Sequence, residues 1–174
     1  MDNLRVRPAT PHDALAIRDL VAPYANHERH ILIPRDLVGY FEAIPEFAVA
    51  EARVDGEWQA VGCGALHVMW EHLGEVRTLA VDAGHLRRGV GHALLEHLLE
   101  RAREYRLSQV FCLTFEVDFF ARHGFEVVTG PVVEPEVFAE MLRSHDNGVA
   151  EFLDLARVKP NTLGNTRMLL HLDQ

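Results

Sequence analysis

Leu79-Ala80-Val81-Asp82-Ala83-Gly84-His85-Leu86-Arg87-Arg88-Gly89-Val90-Gly91-His92-Ala93-Leu94-Leu95 is the stretch that decides how this chain is read. Its first residues end a β-type run. Two adjacent arginines follow, then two glycines spaced Gly89-x-Gly91. Beyond them apolar residues recur at helical spacing through Leu98, Leu99 and Ala102 to Tyr105, so a helix is expected to about Arg106. A strand, a short glycine loop and a long helix therefore stand in series. The loop gathers the unpaired N–H groups of a helix start, the positive end of the helix dipole and two guanidinium groups. Glycine lets a phosphate approach the backbone without a Cβ in the way. The segment reads as a seat for a phosphorylated ligand; its plain alternative is a helix cap with solvated arginines.

Working outward, Leu4 to Arg7 alternates as a first strand, and Thr10-Pro11-His12-Asp13 is a helix start behind which Leu15, Ile17, Leu20 and Val21 form an apolar face. Pro34-Arg35-Asp36 signals a second helix carrying Leu37, Tyr40, Phe41 and Ile44. The period then changes. Glu46 to Arg53 is β-rich, Asp55-Gly56 is a hairpin turn, and Trp58 to Trp70 is the return strand. Gly62 and Gly64 within it predict a bulge or a close backbone approach. A turn at Glu71 to Gly74 leads to a strand over Glu75 to Val81. Past the long helix, Val110 to Phe115 is apolar on both faces, as in a covered strand. Phe119 to Phe125 is a short helix stopped at Gly124, and a strand is expected over Glu126 to Thr129. In the tail, Pro135 to Arg143 reads as helix, Asp146-Asn147-Gly148 as a turn, Lys159-Pro160-Asn161 as a break and Thr166 to Leu172 as a strand. The expected fold class is α/β, one mixed central sheet flanked by helices, in a single domain over residues 1–174.

With 174 residues, a net charge of −9 and 48% hydrophobic residues, the composition is that of a soluble globular protein and argues against non-specific nucleic-acid binding. No apolar run reaches the ~18 residues of a membrane span, and residues 1–5 lack the apolar core of a secretion signal, so a cytoplasmic protein is expected. Lys159 is the only lysine among the 17 Lys and Arg residues, which suits either codon bias or bidentate anion recognition. Cys63 and Cys112 lie in apolar strands and are not expected to form a disulfide. The 11 histidines make no His-x-x-x-His pair and no Cys/His cluster, so no metal site is expected.

The strand–loop–helix segment, followed by a strand and Phe119-Phe120-Ala121-Arg122-His123-Gly124-Phe125, resembles the GNAT acyltransferase superfamily over residues 4–130. Members bind acetyl-CoA and acetylate an amine. Gly89 and Gly91 match the small positions of that family's pyrophosphate motif. Leu86 stands where Gln or Arg is usual, with Arg87 and Arg88 available instead. Gly62-Cys63-Gly64-Ala65-Leu66, Gly74-Glu75-Val76-Arg77-Thr78-Leu79-Ala80-Val81, Leu113-Thr114-Phe115 and the tail from Gly148 to Arg167 resemble the short bacterial form of N-acetylglutamate synthase. The long forms add a kinase-like domain that binds arginine, which leaves arginine sensitivity open here.

This resemblance implies roles. The diphosphate of coenzyme A would lie on the backbone of Arg87, Arg88, Gly89, Val90, Gly91, His92 and Ala93, with the pantetheine arm and thioester along Leu79, Ala80 and Val81. Glu75 matches the family's catalytic glutamate, a base for the substrate ammonium, its plain alternative being an ion pair with Arg77. Phe120 replaces the tyrosine that many members use to protonate the thiolate, and Thr114 matches a hydroxyl residue given that role in the synthases. Arg35, Arg77 and Thr78, with Asn165, Thr166 and Arg167 from the tail, would hold the two carboxylates of L-glutamate; each arginine has an ordinary surface ion pair as its alternative. No cysteine sits at a helix start, so direct attack is expected over a ping-pong route. Two rivals stay open: a different amine acceptor (glutamine, another amino acid or a protein N-terminus), and a non-catalytic acetyl-CoA-binding module. A homodimer is left open, and neither nucleic acid nor membrane is expected as a partner.

Overall fold

The computed structural model describes residues 3–25, 31–32, 35–155 and 164–173. Pro34 and the Lys159-Pro160-Asn161 break lie outside the described residues. Among the described residues there are seven strands: β1 (Leu4–Pro8), β2 (Phe47–Val54), β3 (Glu57–Trp70), β4 (Leu73–Val81), β5 (Gln109–Thr114), β6 (Glu126–Val127) and β7 (Thr166–His171). The α-helices are α1 (Ala14–Ala25), α2 (Leu37–Glu42), α3 (Val90–Glu104), α4 (Val117–Ala121), α5 (Pro135–Met141) and α6 (Asn147–Phe152). The strands are hydrogen-bonded in the order β1-β2-β3-β4-β5-β7-β6, and the sheet is mixed, with β4 and β5 parallel. None of these helices is long and apolar enough to cross a membrane.

The chain divides into two compact units, Met1–His67 with Val76–Arg106 and Val68–Glu75 with Leu107–Gln174. In the first, Asp55 and Gly56 take φ of 51° and 89°, the two left-handed positions that a tight hairpin between β2 and β3 demands. Successive β3 side chains point to opposite faces. Cys63 and Ala65 pack with Ala14, Ile17 and Val21 of α1. Gly62 and Gly64 face the other way, toward α3. A Cβ on Gly62 would stand 2.9 Å from Val90 Cγ1 and 3.0 Å from Leu94 Cδ1, so the glycines admit the helix against the sheet. The β2–β3 register slips between Ala50 and Glu51, which leaves Val61 as the extra residue of a bulge. The α3 helix buries Val90, Leu94, Leu95, Leu98, Leu99 and Ala102. Each buried leucine contributes about 1.5–3 kcal/mol.

Arg7 ties the edge of this unit together. Its guanidinium donates to both oxygens of Asp13, at 2.8 Å each, and to Glu51, also at 2.8 Å. The same Asp13 carboxylate accepts from the Thr10 backbone N–H at 2.7 Å and closes the start of the first helix.

In the second unit β5 is the spine. It pairs with β4 from Leu73↔Gln109 to Glu75↔Phe111 and with β7 along its length, from Gln109↔His171 to Thr114↔Thr166. Phe111 packs edge-on against Phe152 of α6, ring centres 5.0 Å apart. Gly124, at φ 86°, ends the turn after α4, and Phe120 packs edge-on against Phe125.

Several expectations are corrected. Gly74 belongs to β4, where Val110 pairs with it, and not to the preceding turn. Tyr105 is 51% exposed beside Arg101, because α3 ends one residue before it. Phe41 is exposed while its neighbour Tyr40 is buried. The strand expected to Thr129 is only Glu126–Val127. Asp146-Asn147-Gly148 is not a free-standing turn. Asp146 is an N-cap whose carboxylate accepts from the Val149 N–H at 2.9 Å, and the two residues after it open α6.

Candidate active site

In the first unit the quoted stretch folds as its residues require. Asp82 follows β4 and its carboxylate accepts from the Gly84 N–H at 2.9 Å and bonds the His85 ring, folding the loop back on itself. Arg87 and Gly89 both take left-handed φ, 60° and 83°. Gly89 is the N-cap of α3, and the first intrahelical bond of that turn is from Ala93 N–H to the Gly89 carbonyl at 2.9 Å. The N–H groups of Val90, Gly91 and His92 therefore precede the helical ladder. Arg87, Arg88 and His92 are exposed, and Gly91 and Ala93 half-buried. The turn is thus an open cradle of backbone donors with two cationic side chains, which fits a diphosphate.

Thr78 takes φ 58° inside β4, a left-handed conformation costing roughly 1–3 kcal/mol for a β-branched residue. It breaks the pleat just ahead of Leu79, Ala80 and Val81. Ala80 is turned into the sheet, where its N–H is aimed at the Cys63 sulfur. The Val81 carbonyl accepts from the Tyr24 hydroxyl at 2.5 Å. Arg77 and Thr78 are half-buried, and Arg35 stands close enough to Tyr40 for its charge to act on the phenol.

In the second unit Glu75, 3% exposed, shares a register row with Phe111 and Leu169. Arg167 pairs with Leu113, two residues along, and its guanidinium lies 5.6 Å from the Phe111 ring. Glu75 and Arg167 thus share one face of the sheet. Burial lowers the pKa of Arg167, against a smaller opposing pull from Asp154. Its terminal nitrogens donate to the Phe152 carbonyl at 2.6 Å and the Gly130 carbonyl at 3.0 Å, while its buried Nε has no partner among the described residues. It lines a 230 Å³ cavity with Val133, Phe138 and Asp154. Thr114, paired with Thr166, lies in the row next to Arg167 and three rows from Glu75, on the opposite face from Glu75. Its Oγ1 accepts from the Glu116 N–H at 2.8 Å, which leaves the hydroxyl proton free to donate. Burial, and then the nearby Glu75, push the Cys112 thiol well above its usual range; burial pushes Cys63 up to about 12. Neither thiol is poised as a nucleophile.

A model of the acetyltransferase (GNAT) family matches residues 14–125. The chain belongs to the GNAT acetyltransferase family. This N-acetyltransferase is 54% identical, over 96% of its length and 94% of the relative's, to an amino-acid acetyltransferase of Mycobacterium tuberculosis. A Mycobacterium tuberculosis protein solved in complex with CoA matches it at TM-score 0.92 and 53% identity, over 97% of this chain and 99% of the other. The N-acetylglutamate synthase of Neisseria gonorrhoeae, solved with coenzyme A and N-acetyl-glutamate, shares the fold at TM-score 0.74 and 24% identity, over 98% of this chain and 35% of that one.

Two features beside the candidate site are not foreseen from sequence. Tyr24 reaches across 57 positions to Val81, a contact with no local signal. Thr78 in a left-handed conformation runs against its own propensity, so no sequence rule points to it.

Proposed function

We propose that this acetyltransferase transfers the acetyl group of acetyl-CoA to the α-amine of L-glutamate, giving N-acetylglutamate and coenzyme A, the first step of arginine biosynthesis. The carrying observation is the shared face of Glu75 and Arg167: a buried carboxylate and, two rows along the same sheet, a half-buried guanidinium whose buried Nε has no partner among the described residues. A base and a carboxylate receptor are the two groups that a free amino acid needs as acceptor. The 54% identity to an amino-acid acetyltransferase supports the same acceptor class.

In this reading the first unit holds the acyl donor. The backbone of residues 87–93 takes the diphosphate, and Leu79 and Val81 take the pantetheine and the thioester carbonyl, where an N–H offsets the charge that develops on oxygen. Glu75 accepts a proton from the α-ammonium, directly or through water. The freed nitrogen attacks the thioester carbon, the C–S bond breaks, the thiolate leaves with a hydrogen bond from Thr114, and the second proton lost by the nitrogen goes to the departing sulfur to give the thiol. Thr114 need only donate, since a thiol with a pKa of ~8.5 is a good leaving group. By the family resemblance, Asn165, Thr166 and Arg167 of the second unit, and Arg35, Arg77 and Thr78 of the first, are the candidates to meet the substrate's carboxylates. No covalent enzyme intermediate forms, consistent with two buried, high-pKa thiols.

The test is an amine panel (glutamate, glutamine, other amino acids, an N-terminal peptide) with free coenzyme A as readout, on the parent and on Glu75→Gln. Glutamate is expected to be turned over with intersecting initial-rate lines, and Glu75→Gln to lose ~10²–10⁴-fold in kcat while still binding acetyl-CoA. Parallel lines, a non-glutamate preference, or full activity in Glu75→Gln would each refute the corresponding part.

A further inference from the structure

The peptide that joins β4 to the turn before α3 is gripped at both ends. In a trans peptide the C=O and the N–H point in opposite directions. The Asp82 N–H donates to the Val61 carbonyl of β3 at 2.8 Å. The Val81 carbonyl therefore points away from β3. Among the described residues β5 pairs with β4 only over Leu73–Glu75, too far down the strand to meet that carbonyl. A side chain takes the place of a strand. The Tyr24 hydroxyl donates to the Val81 carbonyl at 2.5 Å, the short end of the range for O–H···O bonds.

The two bonds set the plane of this peptide, and the turn depends on that plane. Asp82 folds the turn through Gly84 and His85, and the turn leads to the Gly89 cap of α3. Tyr24 is next to last in α1, where helices fray, yet its ring packs on the core of the first unit, as Leu32 does. The Tyr24 backbone carbonyl accepts from the Leu32 N–H at 3.4 Å, in the segment that leads to Arg35. One residue thus touches that segment through its backbone and the end of β4 through its hydroxyl. The hydroxyl proton is committed to a carbonyl, so Tyr24 does not replace the proton donor that Phe120 cannot be.

We propose that Tyr24 is a positioning residue for the acyl donor: its hydroxyl locks the Val81–Asp82 peptide, and with it the strand end and the turn on which acetyl-CoA is held. This rests on the donor seat proposed above. Tyr24 acts through Val81 and touches no reacting atom. With the hydroxyl gone the peptide is free to turn, and a thioester misplaced by ~1 Å loses up to ~10²-fold in rate.

Tyr24→Phe removes the hydroxyl and keeps the ring on the core. Ile17→Val is the control, since it thins the packing of the same helix and leaves the hydroxyl bond alone. Three readouts are taken on the full chain: amide exchange at the Asp82 N–H by NMR, calorimetric titration of acetyl-CoA, and initial rates with whichever amine the parent turns over. In Tyr24→Phe the Asp82 amide is expected to exchange severalfold faster, acetyl-CoA to bind severalfold more weakly and kcat to fall ~10–10²-fold. KM for the amine and the pH limbs of kcat should stay where they are, and Ile17→Val should match the parent in all three readouts. Unchanged Asp82 exchange or unchanged kcat in Tyr24→Phe overturns the proposal. So do equal losses in Ile17→Val, which make the effect one of packing, and a lost alkaline limb, which makes the hydroxyl a proton donor. A Tyr24→Phe chain that circular dichroism shows unfolded overturns it too, because a positioning hydroxyl is dispensable for folding. Amide exchange and acetyl-CoA titration need no acceptor, so a failure to turn over glutamate sinks the proposed function and still leaves Tyr24 judged.

Discussion

Gly62→Ala adds one methyl group at the point where α3 meets the sheet. The new Cβ would lie 2.9 Å from Val90 Cγ1, 3.0 Å from Leu94 Cδ1 and 3.2 Å from the Ala80 carbonyl oxygen. Two of these neighbours cannot easily give. Val90 is β-branched and fixed at the first turn of α3, and the Ala80 oxygen is backbone. Gly62 is not at positive φ, so alanine itself brings no backbone strain and, by restricting the unfolded chain, favours folding by ~0.4–1 kcal/mol. Overpacking of this kind costs about 1–3 kcal/mol. The balance is a net loss of about 1–2 kcal/mol, or roughly 2–8 °C in Tm for a chain of this size. The displaced group is the first turn of α3, so acetyl-CoA binding should weaken along with stability. Gly64→Ala is the control: its new Cβ would meet only the ends of Leu79 and Leu98, at 2.9 and 3.0 Å, which can rotate away. Thermal unfolding and acetyl-CoA titration of both variants decide it. A Gly62→Ala protein as stable as the parent, with unchanged acetyl-CoA affinity, would refute the packing argument.

Asp13 and Glu51 are both held below their ordinary values of 3.8 and 4.5, chiefly by the hydrogen bonds from Arg7. A depressed folded pKa gives stability that is fully present above the unfolded pKa and is lost as pH falls, so urea midpoints should drop below about pH 5. Asp13→Asn should cost about 2 kcal/mol at neutral pH and flatten that acid limb; an unchanged limb would argue against the network. Thr114→Val should lose about 1 kcal/mol with the bond to the Glu116 N–H, whereas Thr114→Ser keeps it. If the hydroxyl also serves the leaving thiolate, kcat should fall in Thr114→Val alone, and equal kcat in both variants would confine Thr114 to the turn. Cys63 and Cys112, both buried with raised pKa, should resist a thiol reagent at pH 8 in the native protein and react together on unfolding, as followed by absorbance.

Much of the fold is local in origin and can be read from residue order. Asp55-Gly56 is a dipeptide suited to two successive left-handed positions, so the hairpin follows from it. The apolar spacing from Leu94 to Ala102 sets the buried face of α3, and Gly89, the residue type that most readily takes φ 83°, marks where the helix begins. The seat for a phosphorylated ligand is legible for the same reason: its donors are consecutive backbone groups. The pattern also carries β5, whose apolar run over residues 110–113 reflects cover on both faces.

What depends on partners distant in sequence could not be read this way. Asp146-Asn147-Gly148 has the composition of a turn, yet Asp146 caps α6, whose Phe152 packs on Phe111 of β5. Tyr105 continues the apolar spacing of α3 but falls past its last turn and is exposed. The left-handed Thr78 and the bond from Tyr24 to Val81 exist because neighbouring strands and helices hold them against local preference. Arg167 is, in sequence, one arginine among many. Only the register of β7 on β5 sets it on the face of Glu75 and leaves its Nε buried without a partner among the described residues. The sequence by itself determined the turn that can cradle a diphosphate, because that chemistry lies within a few consecutive residues. The tertiary structure decided which carboxylate and which guanidinium face the same way, because strand register is set by pairing between segments far apart in the chain.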